Sequence, residues 1–283
     1  MDFELKPLTL AQAAAADADA LVLAWPDHLP DSLPQTLTGP WALGAENLLS
    51  WLQPLLKAGE LEPGVGKQLV ALACPAVAAR RLVLVRVGDG SALSVRKGLW
   101  AAFAALKQAP VKHAVVFLGL PGVNEAAARA AVVAAADATY QYTTTLSKPK
   151  SRQLRRVTVA LARSERVQRL VAEGQALVHG VELAKEWANR PANHATPTLL
   201  AQAAEKLGKY PHVSVEVLGP KEVAKLGMGA FMAVAQGSSE PLRFVVVRYQ
   251  GGAKDQAPVV LVGKGITFDT GGIPSNPPPR WTK

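Results

Sequence analysis

Short apolar runs of strand length alternate with alanine-rich runs of helical length across the first half of this chain, and this pattern restricts the fold more than any other feature. Ala20-Leu-Val-Leu-Ala24, Arg81-Leu-Val-Leu-Val-Arg86 and His113-Ala-Val-Val-Phe-Leu118 have the length and branching of strands. Residues 91 to 108 and 124 to 138 are rich in alanine, the strongest helix former. Strands alternating with helices predict an α/β layer structure. At 283 residues and 49% hydrophobic content the chain is long enough for two domains with sizeable cores. Val87-Gly-Asp-Gly90 follows a strand but has no full glycine fingerprint and no acidic partner, so it predicts a turn rather than a nucleotide site.

Charge marks a boundary. Residues 148 to 169 carry +7 of the formal +9, through Lys148, Lys150, Arg152, Arg155, Arg156 and the arginines that follow. Such a cluster can hold phosphate backbones through nonspecific, salt-sensitive contacts, although no base-reading motif accompanies it. The plainer reading is a solvated connector whose charges meet acidic neighbours in an oligomer. Both readings give a first α/β domain over 1–147 and a basic linker over 148–166.

Beyond the linker, Val167, Leu170, Val171, Leu177, Val178, Val181 and Ala184 recur at helical spacing, predicting one long amphipathic helix over 165–187. Gly174 is the weak spot of that stripe. The helix should end near Asn189-Arg-Pro191, because proline disfavours helical geometry in the residue before it. Thr196 is placed to cap a further helix with Pro197 at its first position. Met228, Phe231 and Met232 suit a core better than a substrate pocket. Cys74 is the single cysteine, so no internal disulfide forms and the thiol should pack rather than react. His194 lies beside prolines as a loop residue, and His28, His113, His179 and His212 show no metal-ligand spacing. The N-terminus has no export signal and the chain no membrane span, which predicts a cytoplasmic protein.

The richest chemistry lies at Pro258-Val-Val-Leu-Val-Gly-Lys264-Gly-Ile-Thr-Phe-Asp269-Thr-Gly-Gly272, where an apolar strand should run into a loop bearing one lysine and one carboxylate. A carboxylate can span two dications, whereas lysine binds a metal only as the neutral amine, its proton displaced. Val262 to Ile273 resembles the metal-binding signature of the leucyl (cytosol) aminopeptidase family, with Thr270 in place of serine. Asn189 to Pro197 resembles the family's Asn-x-Pro-x-Asn-x-x-Thr-Pro element, as do 226–238 and 241–249 the segments expected there. Tyr140-Gln-Tyr142 followed by Lys148 resembles the close of the family's N-terminal domain.

The resemblance implies an N-terminal α/β domain followed by the beginning of an α/β metallopeptidase catalytic domain over 167–283. It implies two divalent ions, manganese or zinc, with Lys264 binding one and Asp269 bridging both. In the family these ions polarise the scissile carbonyl, hold the substrate's amino group and activate a water, while a lysine stabilises the oxyanion. Here Asn276 occupies the position of that lysine, and asparagine cannot supply its charge. The family's later aspartates, its Asp-x-Glu pair and its arginine have no counterparts in the sequence. Removing one base from a synonymous coding of the family-like Ile-Ser-Ile-Lys-Pro continuation yields Ile273-Pro-Ser-Asn-Pro-Pro-Pro-Arg-Trp-Thr-Lys283. The expectation is therefore a frameshifted, truncated aminopeptidase without activity, its partners being peptide substrates in the intact family. The alternative is a noncatalytic DNA-binding or assembly protein using the basic segment, with homo-oligomers in either case.

Overall fold

A computed structural model of the protein describes residues 1–29, 44–253 and 255–268. The chain divides into two compact units, Met1–Lys185 and Glu186–Lys283.

The first unit is built in the order β1 (Asp2–Lys6), α1 (Leu10–Ala14), β2 (Ala20–Trp25), α2 (Glu46–Lys57), β3 (Gln68–Leu72), β4 (Arg81–Arg86), α3 (Ala92–Leu106), β5 (His113–Phe117), α4 (Ala127–Thr139) and β6 (Arg156–Ala160), and takes in most of α5 (Glu165–Asn189). Six strands form one sheet in the order β1-β6-β5-β2-β4-β3, parallel except for β3, which runs antiparallel to β4. Leu21 of β2 is level with Leu82 on one side and Val115 on the other. A parallel strand covered on both faces needs apolar side chains on both, and every residue of β2 is buried. Ala20, Val22 and Ala24 pack under α3, α4 and α5 with Leu99, Phe103 and Val171, while Leu21, Leu23 and Trp25 pack under α1 and α2 with Leu10, Leu48 and Leu52. Cys74 is buried in this second layer, as expected.

The turn after β4 is structural. Gly90 has φ +74°, and a Cβ there would sit 2.2 Å from the Gly122 carbonyl oxygen, so only glycine lets the β4 and β5 loops meet. Ser91 caps α3, its Oγ accepting from the Ser94 N–H.

Two expectations change in this unit. The segment 148–166 is not a solvated connector throughout: Arg156–Ala160 is β6, lying between β1 and β5, with Val157 and Val159 fully buried. The compact unit accordingly runs on to Lys185. Helix α5 forms and ends at Asn189, but its buried stripe is the narrower set Val167, Val171, Gly174 and Val178. Leu177 and Val181 are exposed. Gly174 is less a weak spot than a point of contact, since a Cβ there would stand 3.0 Å from that of Val132 on α4.

The second unit carries a single-turn 3₁₀ helix at Ala192–His194, then α6 (Pro197–Glu205), β7 (Val213–Leu218), α7 (Pro220–Lys225), α8 (Gly229–Ala235) and β8 (Phe244–Tyr249). β7 and β8 make a two-stranded antiparallel sheet pairing Val213 with Tyr249 and Leu218 with Phe244. Among its described residues the buried apolar side chains are Ala195, Ala201 and Val223. Met228, Phe231 and Met232 are therefore half-buried rather than core, although Phe231 meets the Phe244 ring edge to face at 5.9 Å. The strand expected at 258–262 is also absent. A strand exists only through a paired neighbour, and this segment has none among the described residues, leaving Val259 to Val262 74–93% exposed.

Candidate functional site

Lys264 lies in the irregular segment that follows β8, on the surface of the second unit. Asp269, its expected companion, lies outside the described residues, as does Asn276 at the expected catalytic position. Among the described residues no group of three His, Cys, Asp or Glu side chains could hold a metal ion. A dinuclear centre needs several anionic donors converging on one place, and a single amine does not make one. The described residues thus do not fit a two-metal site by themselves.

The loop leading away from α5 is ordered by its own residues. Arg190 pairs with Glu186 at 3.0 Å and stacks its guanidinium 4.1 Å over the Trp187 ring. The His194 N–H donates to the Pro191 carbonyl at 2.8 Å, and the imidazole is exposed. Thr196 Oγ1 accepts from the Leu199 N–H at 3.3 Å with Pro197 in the first turn, as the sequence predicts. Each of these contacts shapes backbone, and none aims a donor set at a common point.

The basic segment separates into two kinds of residue. Lys148, Lys150, Arg155 and Arg156 are exposed. Arg152 is instead spent internally: Nε donates to the Thr139 carbonyl and Nη2 to the Ala136 carbonyl, both at 3.1 Å, and Nη2 also meets Glu182 of α5. It therefore caps the last turn of α4, where carbonyls have no helical donors. Arg156 lies 3.1 Å from His113 Nδ1, and burial followed by this guanidinium lowers the imidazole's affinity for a proton. A second clamp joins the same helices, with the Trp100 indole and the Lys185 ammonium both donating to Asp137. Burial pushes the Asp137 carboxyl up, but the Lys185 and Trp100 hydrogen bonds outweigh it and hold the group below its ordinary value. Neither clamp was foreseeable, because the partners are 13 to 48 residues apart and no local spacing marks them.

Among the described residues, two of the hollows are open to solvent. One, of about 400 Å³, is lined by Lys107, Gln108, Gln141, Lys150, Ser151 and Gln153 in the first unit. The other, of about 290 Å³, lies in the second unit between α6 and β7, with Thr198, Gln202, Glu205, Val217 and Arg243 on its walls. Lys264 lines neither.

Comparison with known proteins accounts for this arrangement. Sequence models of the cytosol aminopeptidase family match the chain twice, the N-terminal domain over residues 36–149 and the catalytic domain over residues 182–279. A probable cytosol aminopeptidase of Polaromonas naphthalenivorans (strain CJ2) is 51% identical over 280 residues, which are 98% of this chain and 52% of the relative. The chain spans about half the length of the curated relatives it matches. A solved tomato leucine aminopeptidase mutant aligns with TM-score 0.78 over 96% of this chain and 55% of its own, at 22% identity. A bottromycin maturation enzyme in complex with Mn aligns with TM-score 0.61 over 82% of this chain and 45% of its own, also at 22% identity. At that identity the two structures speak to the fold alone. The two domain matches fall in order on the parallel-sheet unit and on the unit that follows it, with half-identical relatives aligned along 98% of the chain, and the chain belongs to the cytosol aminopeptidase family.

Proposed function

We propose that this chain contributes the N-terminal unit and the first metal-ligand segment of a metal-dependent leucyl aminopeptidase, a cytoplasmic enzyme that removes N-terminal residues from peptides. The observation that carries the reading is the likeness of Val262–Ile273, with Thr270 in place of serine, to the family's metal-binding signature, inside the stretch matched by the catalytic domain. In this reading Lys264 and Asp269 are ligands to a pair of divalent ions, manganese or zinc, that supply Lewis acidity when bound. Asn276 leaves the oxyanion without the cation expected at its position. The 283 residues by themselves then supply two of the ligands and no general cation for the transition state. Purified chain given leucine p-nitroanilide and manganese should show no turnover above the blank. Turnover at the rates of intact aminopeptidases would overturn this.

A second reading, nonspecific DNA retention by the basic segment, is favoured by the exposure of Lys148, Lys150, Arg155 and Arg156, and by the Lys107 and Lys150 side chains around one hollow. Phosphate contacts of that kind weaken steeply with salt. Retention on a DNA column that is lost between low and moderate salt, without peptide turnover, supports it. Flow-through at low salt removes it.

A further inference from the structure

The hollow of the first unit is built for negative charge. It opens where the turn after α3, the chain leaving α4 and the approach to β6 come together, with a volume of about 400 Å³. Lys107, Gln141, Lys150 and Ser151 are on its walls, and none of its lining side chains is acidic. Among the described residues neither lysine ammonium has a carboxylate partner, so the charge at the hollow is uncompensated. Helix C-termini ordinarily repel anions, because their last carbonyls lack donors. Here those carbonyls are occupied. In α3 the Ala104 and Leu106 carbonyls accept from the Lys107 and Ala109 N–H groups, and in α4 the Ala136 and Thr139 carbonyls accept from Arg152.

One polar atom of the wall is left over. Gln141 Oε1 is shut off from water and accepts no hydrogen bond. A buried acceptor without a donor is costly, and native proteins rarely keep one unless something binds there. The two ammonium groups call for an anion, and the orphan acceptor calls for an anion that carries a proton. Hydrogen phosphate meets both demands at neutral pH, with three oxygens free to accept from the ammonium and Ser151 hydroxyl groups and one P–OH to donate. Sulfate and phosphodiesters carry no such proton. From this combination we propose that the hollow is a binding site for free inorganic phosphate, held by Lys107 and Lys150 and oriented by its P–OH donating to Gln141 Oε1. The site is separate from the aminopeptidase reading, which takes no metal ligand from the first unit, and from DNA retention, which needs charge alone.

The test titrates the 283-residue chain with inorganic phosphate at constant ionic strength and follows its amide resonances by NMR. Amides of 107–109, 141 and 150–153 should shift saturably with a dissociation constant of about 1 mM or tighter. Sulfate and dimethyl phosphate should bind at least about tenfold more weakly. Lys107→Ala and, independently, Gln141→Leu should each weaken phosphate binding about tenfold. Gln141→Leu removes an unsatisfied acceptor and no charge, so its urea unfolding and its retention on DNA should match those of the parent. The proposal is overturned if no saturable shift appears up to about 20 mM phosphate, or if either variant binds phosphate as tightly as the parent. It is equally overturned if sulfate or dimethyl phosphate shifts the same amides as strongly, since that result describes a nonspecific contact with negative charge.

Discussion

Gly90 shows how much one residue can decide. Its left-handed backbone and its close approach to the Gly122 carbonyl both forbid a side chain, so Gly90→Ala should destabilise the first unit by about 2 kcal/mol or more, read by urea unfolding. One residue away, Asp89 is held at about 2 by hydrogen bonds from the Ser91 and Ser94 hydroxyls and then the Ser91 N–H. Because the folded value lies below the ordinary 3.8, its contribution is complete above that ordinary value and is lost as pH falls toward 2. Titration of the Asp89 carboxyl by NMR should show the depressed value, and Ser91→Ala should raise it. Arg152 makes the sharpest division within the basic cluster. Arg152→Ala strips two carbonyls and a carboxylate of their donor and should cost about 2 kcal/mol of stability. On the second reading of the basic segment, DNA retention should be unaltered in the same protein, whereas Lys148→Ala with Lys150→Ala should reduce it. The sequence offered these side chains as equals, because the carbonyls that claim Arg152 belong to a helix end more than ten residues earlier.

Among the elements, those whose burial is two-sided or strongly periodic were legible. β2, β4 and β5 are apolar along their length, α3 and α4 are alanine-rich, and α5 ends where the proline rule places it. β6 escaped because Arg155 and Arg156 stand at its start and the surrounding charge reads as solvated chain, while its parallel partners β1 and β5 lie far away in sequence. The stripe on α5 was drawn too wide for a related reason: spacing defines which residues share a face but not how far the neighbouring helix reaches. That reach is set by Gly174 against Val132, so Gly174→Leu should force α5 and α4 apart and cost about 1–3 kcal/mol in denaturant unfolding. The apolar run at 258–262 carries the strand pattern, yet a pattern is not a pairing, and the partner that would make it a strand is absent from the described residues. Of the candidate site, residue types and order were readable at Lys264 and Asp269, whereas convergence of ligands is a property of packing that the described residues do not reach.

At the scale of the whole chain, the two units differ in what holds them. The first has two apolar layers on a six-stranded sheet; the second has a two-stranded sheet that is marginal without further cover. Native-state hydrogen exchange should therefore find amides of β2, β4 and β5 protected close to the global unfolding free energy, and amides of β7 and β8 exchanging orders of magnitude faster. Family membership accounts for both, since the chain covers about half of its relatives and the matched catalytic stretch lies in the less covered unit. In the proposed function these 283 residues begin a two-metal site without assembling one. Calorimetric titration of the purified chain with manganese and with zinc tests it most directly. No tight binding of a second ion should appear, and two ions bound per chain with micromolar or better affinity would overturn the proposed function.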